Sequence, residues 1–180
     1  MFEEQLLEPK HHDPSTFACG EPALDAFVQR HAHQTMRRGI SQSWVLVPVD
    51  QTSTIAGFYS LAPAEVGLAN LQPEDARPLP PDPIPCFRMG RLARDHRWRG
   101  EGIGELLVGL AVERCLQARR SVGGYALIVD AKGEVAKSFY LRYGFRPYLD
   151  TPNSLYLPLG GPGEEPLLTT GLWSAKRVTA

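Results

Sequence analysis

The chain has 180 residues, 43% of them hydrophobic and 22% charged, a size and balance that predict one globular domain with a full core. Lys and Arg number 19 against 20 Asp and Glu, a formal net charge of −1 that excludes a uniformly basic, polyanion-coating protein. No apolar run reaches transmembrane length, no signal-peptide pattern opens the chain, and Cys19, Cys86 and Cys115 lack a zinc spacing, which predicts no membrane, no metal and a reducing cytoplasm.

Glu3 to Leu7 suits a short edge strand. His11, His12 and Cys19 read as a polar loop, since no second ligand pair follows them. Pro22 suits a first helical turn and Gly39 a C-terminal stop, so a helix is predicted from about Ala23 to Arg38. Leu24, Phe27, Val28, His31 and Thr35 share one face, where His31 reads as a packed histidine rather than a catalytic base. Arg30, His33, Gln34, Arg37 and Arg38 lie nearer the opposite side, either a solvated face or a nucleic-acid contact. Ser43 to Val49 and Thr54 to Glu65 read as two strands joined by a polar turn, hence an antiparallel hairpin. Gln72 to Pro85 is dense in proline, which supplies no ladder amides, and reads as a loop leading into an extended segment from Cys86 to Asp95. A helix from about Gly102 to Arg119, a strand from Gly124 to Asp130, a helix from about Glu134 to Arg142 capped by Gly144, and a last strand from Leu155 to Leu159 follow. The domain is read as residues 1–160, with 161–180 as a C-terminal tail.

The most informative stretch runs from Arg88 to Asp130. Strand, glycine turn, helix, strand is a unit that binds anions: helix-start amides lack intrahelical partners, and the helix dipole adds partial positive charge there. Gly100, Gly102 and Gly104 let a phosphate approach the backbone. A P-loop is excluded because Glu105 follows Gly104, and the spacing G-x-G-x-G is not that of a dinucleotide fingerprint. The pattern that fits is Arg/Gln-x-x-G-x-G, read as Arg99-Gly100-Glu101-Gly102-Ile103-Gly104 and, overlapping it, Arg97 to Gly102. This resembles the pyrophosphate loop of the acetyl-CoA-dependent GNAT acetyltransferases.

The resemblance extends over roughly residues 3 to 159 and is closer to the GNAT toxins of bacterial toxin–antitoxin systems. It is carried by Phe17-x-Cys-Gly-x-x-x-Leu-Asp25-x-Phe27, Gly57-Phe-Tyr-Ser-Leu-Ala62, Pro83-Ile-Pro85, Gly90-Arg-Leu-Ala93 with Asp95, Val129-Asp-Ala-Lys132 and Ala136-x-x-Phe-Tyr140-x-x-x-Gly-Phe145. The first and third blocks are not needed for acetyl-CoA binding in general, so they mark the subgroup. The resemblance implies an α/β (α+β) fold: a mixed, mostly antiparallel sheet of six or seven strands flanked by helices, its central parallel strands splayed to admit acetyl-CoA. It implies acetylation of the α-amine of aminoacyl-tRNA, a translational block, a homodimer and an antitoxin with a ribbon-helix-helix DNA-binding domain. Two departures stand out. Arg94 replaces the usual apolar residue before Asp95, and the chain is near neutral where a tRNA binder is expected to be basic. The basic residues are concentrated instead in Arg37, Arg38, Arg88, Arg91, Arg94, Arg97 and Arg99, of which Arg37, Arg38, Arg88 and Arg91 are expected to contact nucleic acid.

Acetyl transfer needs a neutral amine, polarisation of the thioester carbonyl and a proton for the departing thiolate. A free α-amine titrates near pH 7.7–8.0, and an aminoacyl ester amine lower, so no strong base is required. Tyr140 matches the family tyrosine placed near the CoA sulfur and is the expected acid; Tyr143 and Tyr59 are weaker candidates. The amides of Leu92, Ala93 and Arg94 are expected to bind the thioester carbonyl and pantetheine. Arg97, Arg99 to Gly104, Asp130, Ala131 and Phe139 complete the expected acetyl-CoA contacts. Two other readings are a GNAT enzyme for a small amine or protein lysine, and a non-catalytic acyl-CoA-binding module.

Overall fold

The computed structural model describes residues 1–81 and 83–161, so the expected tail lies almost wholly outside the described residues. The strands are β1 (Phe2–Leu6), β2 (Gln42–Pro48), β3 (Gly57–Val66), β4 (Ile84–Arg94), β5 (Ala126–Asp130), β6 (Arg146–Pro147) and β7 (Ser154–Pro158). They form one seven-stranded sheet in the order β1-β2-β3-β4-β5-β7-β6. The pairs β1–β2, β2–β3, β5–β7 and β6–β7 are antiparallel. The β4–β5 pair is parallel and confined to Phe87 opposite Leu127 and Arg88 opposite Ile128. A mixed, mostly antiparallel sheet whose central parallel strands pair only briefly is the expected fold class.

The described chain forms two compact units. The first comprises Met1–Ala62 and Met89–Ala111. Its β1 is the expected edge strand, and β2 and β3 make the expected hairpin, with Ser43 opposite Ser60 and Val45 opposite Phe58. Leu7, Phe17, Phe27, Val28, Val45, Ile55 and Phe58 build its core. Phe58 is met edge-on by Phe17 at 5.4 Å and stacked by Phe27 at 6.0 Å, and each such pair adds about 0.5–1.5 kcal/mol beyond area burial.

The first predicted helix is helical over its whole length but not uniform. α1 (Pro22–Ala26) passes into a π turn at Phe27–His31 and then α2 (Ala32–Arg37). The Ala32 amide donates to the Phe27 carbonyl, five residues back, so one extra residue enters the turn. That shifts the buried stripe by one position: Ala32 is 0% exposed, while His31 is exposed. His31 is therefore not the packed histidine a regular 3.6-residue period predicts.

Among the described residues the second unit comprises the stretches 63–88 and 112–161. Val66, Leu71, Ile84, Cys86, Ala126, Ile128 and Tyr156 form its core. The proline-rich segment contains a short helix, α3 (Pro73–Ala76), where a loop was expected. Pro73 sits in the first turn, where a missing amide costs nothing, and Glu74 and Asp75 favour the positive helix end. The Tyr156 hydroxyl donates to Asp75 at 2.5 Å, Arg146 pairs with the same carboxylate, and the Gln72 amide donates to the Tyr156 oxygen at 2.9 Å. Those bonds anchor a helix too short to be stable alone. The two-residue strand β6 carries no periodicity from which sequence could predict it.

α4 spans Ile103–Val122, ending at Gly123 with φ +75°, and α5 spans Gly133–Arg142. Among the described residues no helix is long and apolar enough to cross a membrane. The three cysteines are free thiols.

Candidate active site

In the first unit, the C-terminal half of β4 delivers the chain into a short 3-10 turn, His96–Trp98, and then into the glycine loop. Gly100 and Gly102 have φ +86° and +73°, a left-handed backbone that side chains resist. A Cβ placed on either would meet nothing within 4 Å, so open space rather than packing surrounds these two glycines. The Leu106 amide donates to the Gly102 carbonyl at 3.1 Å, making Gly102 the cap that precedes α4. The amides that follow, at Ile103, Gly104 and Glu105, precede the first intrahelical bond and are available to an anion. The amides of Arg99 and Glu101 are instead turned inward, to the His96 carbonyl at 3.2 Å and the Trp98 carbonyl at 3.4 Å. This cradle, open above and lined by helix-start amides, fits a pyrophosphate.

The start of α4 is fixed by a close approach that sequence reading did not assign. A Cβ on Gly57 would lie 2.8 Å from Leu107 and 2.9 Å from Ile103, so only glycine on β3 lets the helix sit this close. Ile103 and Leu107 are both 0% exposed there. Ala93 is buried, and Leu92 and Arg94 are half-buried; Arg94 reaches the Asp95 carbonyl at 3.2 Å. Arg99 and Glu101 are exposed. The side chain of Arg97 is turned to Asp95, with Nε to Oδ1 at 2.9 Å and Nη2 to Oδ2 at 2.8 Å. Tyr59, 0% exposed, donates its hydroxyl to Glu4.

In the second unit, Tyr140 lies on the last turn of α5, 9% exposed. Its ring is met by Phe139 at 5.2 Å and Phe145 at 5.3 Å, and Phe139 in turn meets Tyr143 at 4.9 Å. Gly144 at φ +89° turns the chain so that Phe145, only 2% exposed, returns against Tyr140. The Phe-Tyr-x-x-x-Gly-Phe spacing is thus a device for fixing one phenol. Desolvation by burial pushes the Tyr140 hydroxyl up to about 12, so it keeps its proton throughout the neutral range. At the end of β5, Asp130 accepts from Arg88 at 2.5 Å and from the Ser154 hydroxyl at 2.7 Å. Arg88 and Asp130, expected on nucleic acid and on cofactor respectively, are brought together as an ion pair. Ala131 is buried, its amide donating to the Asn153 carbonyl at 2.8 Å.

Of the remaining cations, Arg37 and Arg38 are exposed at the end of α2, with Arg30 and His33 exposed on the same helical segment. Arg91 is held 5.0 Å above the Phe27 ring and donates to the Gly90 carbonyl at 2.7 Å. Among the described residues no group of three His, Cys, Asp or Glu gathers to hold a metal ion. His12 is instead bound by the Glu8 amide at 3.0 Å and by Gln5 at 2.9 Å.

No family model matches the chain. A tRNA-acetylating toxin of Mycobacterium tuberculosis is 35% identical over 133 residues, 74% of this chain and 78% of its own. A probable toxin TacT of Sinorhizobium fredii is 27% identical over 161 residues, 85% of this chain and 88% of its own. Among solved structures, AtaT complexed with acetyl-methionyl-tRNA is 29% identical with a TM-score of 0.82, covering 88% of this chain and 95% of AtaT. A tyrosine-to-phenylalanine mutant of KacT is 30% identical, also at a TM-score of 0.82, over 87% of this chain and 94% of KacT. A tyrosine-to-phenylalanine mutant of AtaT, bound to acetyl-CoA and to the C-terminus of the antitoxin AtaR, is 28% identical with a TM-score of 0.74, covering 87% of this chain and 92% of its own. The chain, with its glycine loop and its buried tyrosine, belongs to the family of tRNA-acetylating toxins, the GNAT acetyltransferases of bacterial toxin–antitoxin systems.

Proposed function

We propose that the protein transfers the acetyl group of acetyl-CoA to the α-amine of an aminoacyl-tRNA, so that the charged tRNA is lost to translation. The observation that carries this reading is the likeness over 88% of the chain to AtaT, whose structure holds the acetylated product acetyl-methionyl-tRNA. The open glycine cradle supports it independently.

The helix-start amides from Ile103 to Glu105 bind the pyrophosphate, with Arg99 and Arg94 adding charge. The amides of Leu92 to Arg94 orient pantetheine and polarise the thioester carbonyl. Acetyl-CoA supplies an activated acyl carbon with a thiolate leaving group. The C–N bond forms as the C–S bond breaks; the amine proton leaves to solvent and the thiolate gains one. An α-amine titrating near 7.7–8.0 or lower is already partly neutral at physiological pH, which dispenses with a strong base. Tyr140 serves the sulfur. Burial holds the phenol at about 12, above the range of a thiol, so full transfer to the departing thiolate is uphill. The hydroxyl therefore acts as a hydrogen-bond donor while charge develops on sulfur, and relays a proton from water. Tyr59 is a poorer acid because its hydroxyl is committed to Glu4.

The exposed Arg37 and Arg38 supply sequence-independent attraction for tRNA phosphates. Arg88 and Arg91 contribute from fixed positions. The protein works in the cytoplasm as a homodimer and is neutralised by an antitoxin whose DNA-binding part is a ribbon-helix-helix; the AtaT complex with the AtaR C-terminus supports the antitoxin. The test is release of free CoA thiol from acetyl-CoA in the presence of charged tRNA, deacylated tRNA, a polyamine or a lysine peptide. Only charged tRNA should elicit release; release with the polyamine or peptide alone would return the protein to general amine acetylation.

A further inference from the structure

Asp95 is 1% exposed and holds four hydrogen bonds, an unusual investment for a residue beside a loop. It accepts from the Ala18 amide at 3.0 Å, the Arg97 amide at 2.9 Å, and Arg97 Nε and Nη2 at 2.9 and 2.8 Å. Burial pushes its carboxyl up, but these bonds and the guanidinium charge outweigh burial and hold it below the usual carboxylate range. The carboxylate joins two distant segments. One is the turn His96–Trp98 that feeds the glycine loop; the other is the arm from Phe17 to Gly20. The arm is tied a second time, the His96 amide donating to the Ala18 carbonyl at 2.9 Å. It is so close that a Cβ on Gly20 would lie 2.8 Å from the His96 ring. The arm is itself held to the first helical segment, by the Cys19 amide to Asp25 at 2.8 Å and by Gln29 to the Phe17 carbonyl at 2.9 Å.

We infer that Asp95 is a positioning residue for the pyrophosphate loop, and that Arg97 is its clamp rather than a phosphate ligand. This rests on the reading of the glycine loop as the acetyl-CoA site. Converging amides bind an anion well only when the loop that carries them is held still. The fork of Arg97 that grips Asp95 is not free to grip a phosphate at the same time. The Phe-x-Cys-Gly block then has a part to play: its backbone forms the outer wall of the loop's support.

The experiment measures the dissociation constant of CoA by calorimetry, at low and moderate salt, for wild type, Asp95→Asn, Arg97→Ala, Arg97→Lys and the Asp95→Asn/Arg97→Ala double variant. Each single variant should weaken CoA by on the order of tenfold, the scale of a modest misplacement of binding groups. The double variant should be no weaker than the singles, because all remove one clamp. Arg97→Lys should also weaken CoA, since a lysine cannot reproduce a bidentate fork. The Arg97 side chain is 47% exposed, so Arg97→Lys is expected to fold even where Asp95→Asn does not. Arg97→Ala should leave the salt dependence of CoA affinity unchanged, because no phosphate contact is lost. Wild-type affinity in Arg97→Lys or Asp95→Asn, additive losses in the double variant, or a flattened salt dependence would overturn the inference. Gly102→Ala, measured alongside, separates the two levels. If it binds CoA normally, the loop reading falls and this inference with it; if it loses CoA while the clamp variants do not, only the inference falls.

Discussion

The glycine loop offers a matched pair of substitutions that isolates ligand binding from backbone strain. Gly102 has φ +73° and Gly123, in the turn after α4, has φ +75°; a Cβ on either meets nothing within 4 Å. Alanine therefore costs the same at both: no clash, and a left-handed backbone worth about 1–2 kcal/mol. For a chain of this size that corresponds to a melting-temperature drop of roughly 2–8 °C in either variant. The two differ in what lies outside the protein. At Gly102 the added methyl would stand in the cradle claimed for the pyrophosphate, and a displacement of about 1 Å there can cost on the order of a hundredfold. Differential scanning fluorimetry should show equal destabilisation, and calorimetry should show CoA binding lost in Gly102→Ala and retained in Gly123→Ala. Equal CoA affinity in the two variants would refute the assignment of the loop, and a much larger thermal loss at Gly102 would refute the claim that its surroundings are open.

Three other predictions follow from the same geometry. Tyr140→Phe removes a donor but keeps the ring between Phe139 and Phe145, so fold and CoA affinity should survive while single-turnover acetyl transfer falls by about 10²–10⁴-fold; near-normal turnover would pass the role to water. Because burial raises the Tyr140 pKa to about 12, its proton is present below that value and lost only as pH rises through it. The rate should therefore climb with the α-amine, at or below about pH 8, and stay level to pH 10; a falling limb between pH 8 and 10 would show that another acid sets the rate. Reversing Arg37 and Arg38 to glutamate should raise the KM for charged tRNA, increasingly so at low salt, and leave the dissociation constant for CoA unchanged; unchanged tRNA kinetics would place the tRNA face elsewhere.

Strand and helix order was legible because apolar periodicity, proline and glycine report local structure directly. The antiparallel hairpin, α4 and the turn at Gly144 all lie where residue pattern places them. The π turn at Phe27–His31 was not legible, since one inserted residue leaves no mark in composition yet moves His31 to solvent and Ala32 to the core. α3 was hidden by the same prolines that suggested a loop, one of which starts the helix. At the glycine loop, the motif could not say which amides face outward; the Arg99 and Glu101 amides are bonded inside the turn. Nor could sequence show that Arg97 belongs to Asp95 and Arg88 to Asp130. Those pairings are made by tertiary approach, and a run of arginines reads alike whether its charges are free or committed. Asp95 stood in view as the residue ending the Gly90-Arg-Leu-Ala93 block; its role emerges only from the Ala18 amide it accepts.

The proposed acceptor is the α-amine of an amino acid esterified to tRNA. The most direct measurement incubates the protein with acetyl-CoA and a mixed pool of charged tRNA, digests the tRNA, and identifies the aminoacyl-adenosines by mass spectrometry. An acetyl group should appear on the α-nitrogen of one or a few amino acids still linked to adenosine, and none in a pool stripped of its amino acids beforehand. Acetyl found only on polyamines, on protein lysines or nowhere, with CoA nevertheless bound, would contradict it.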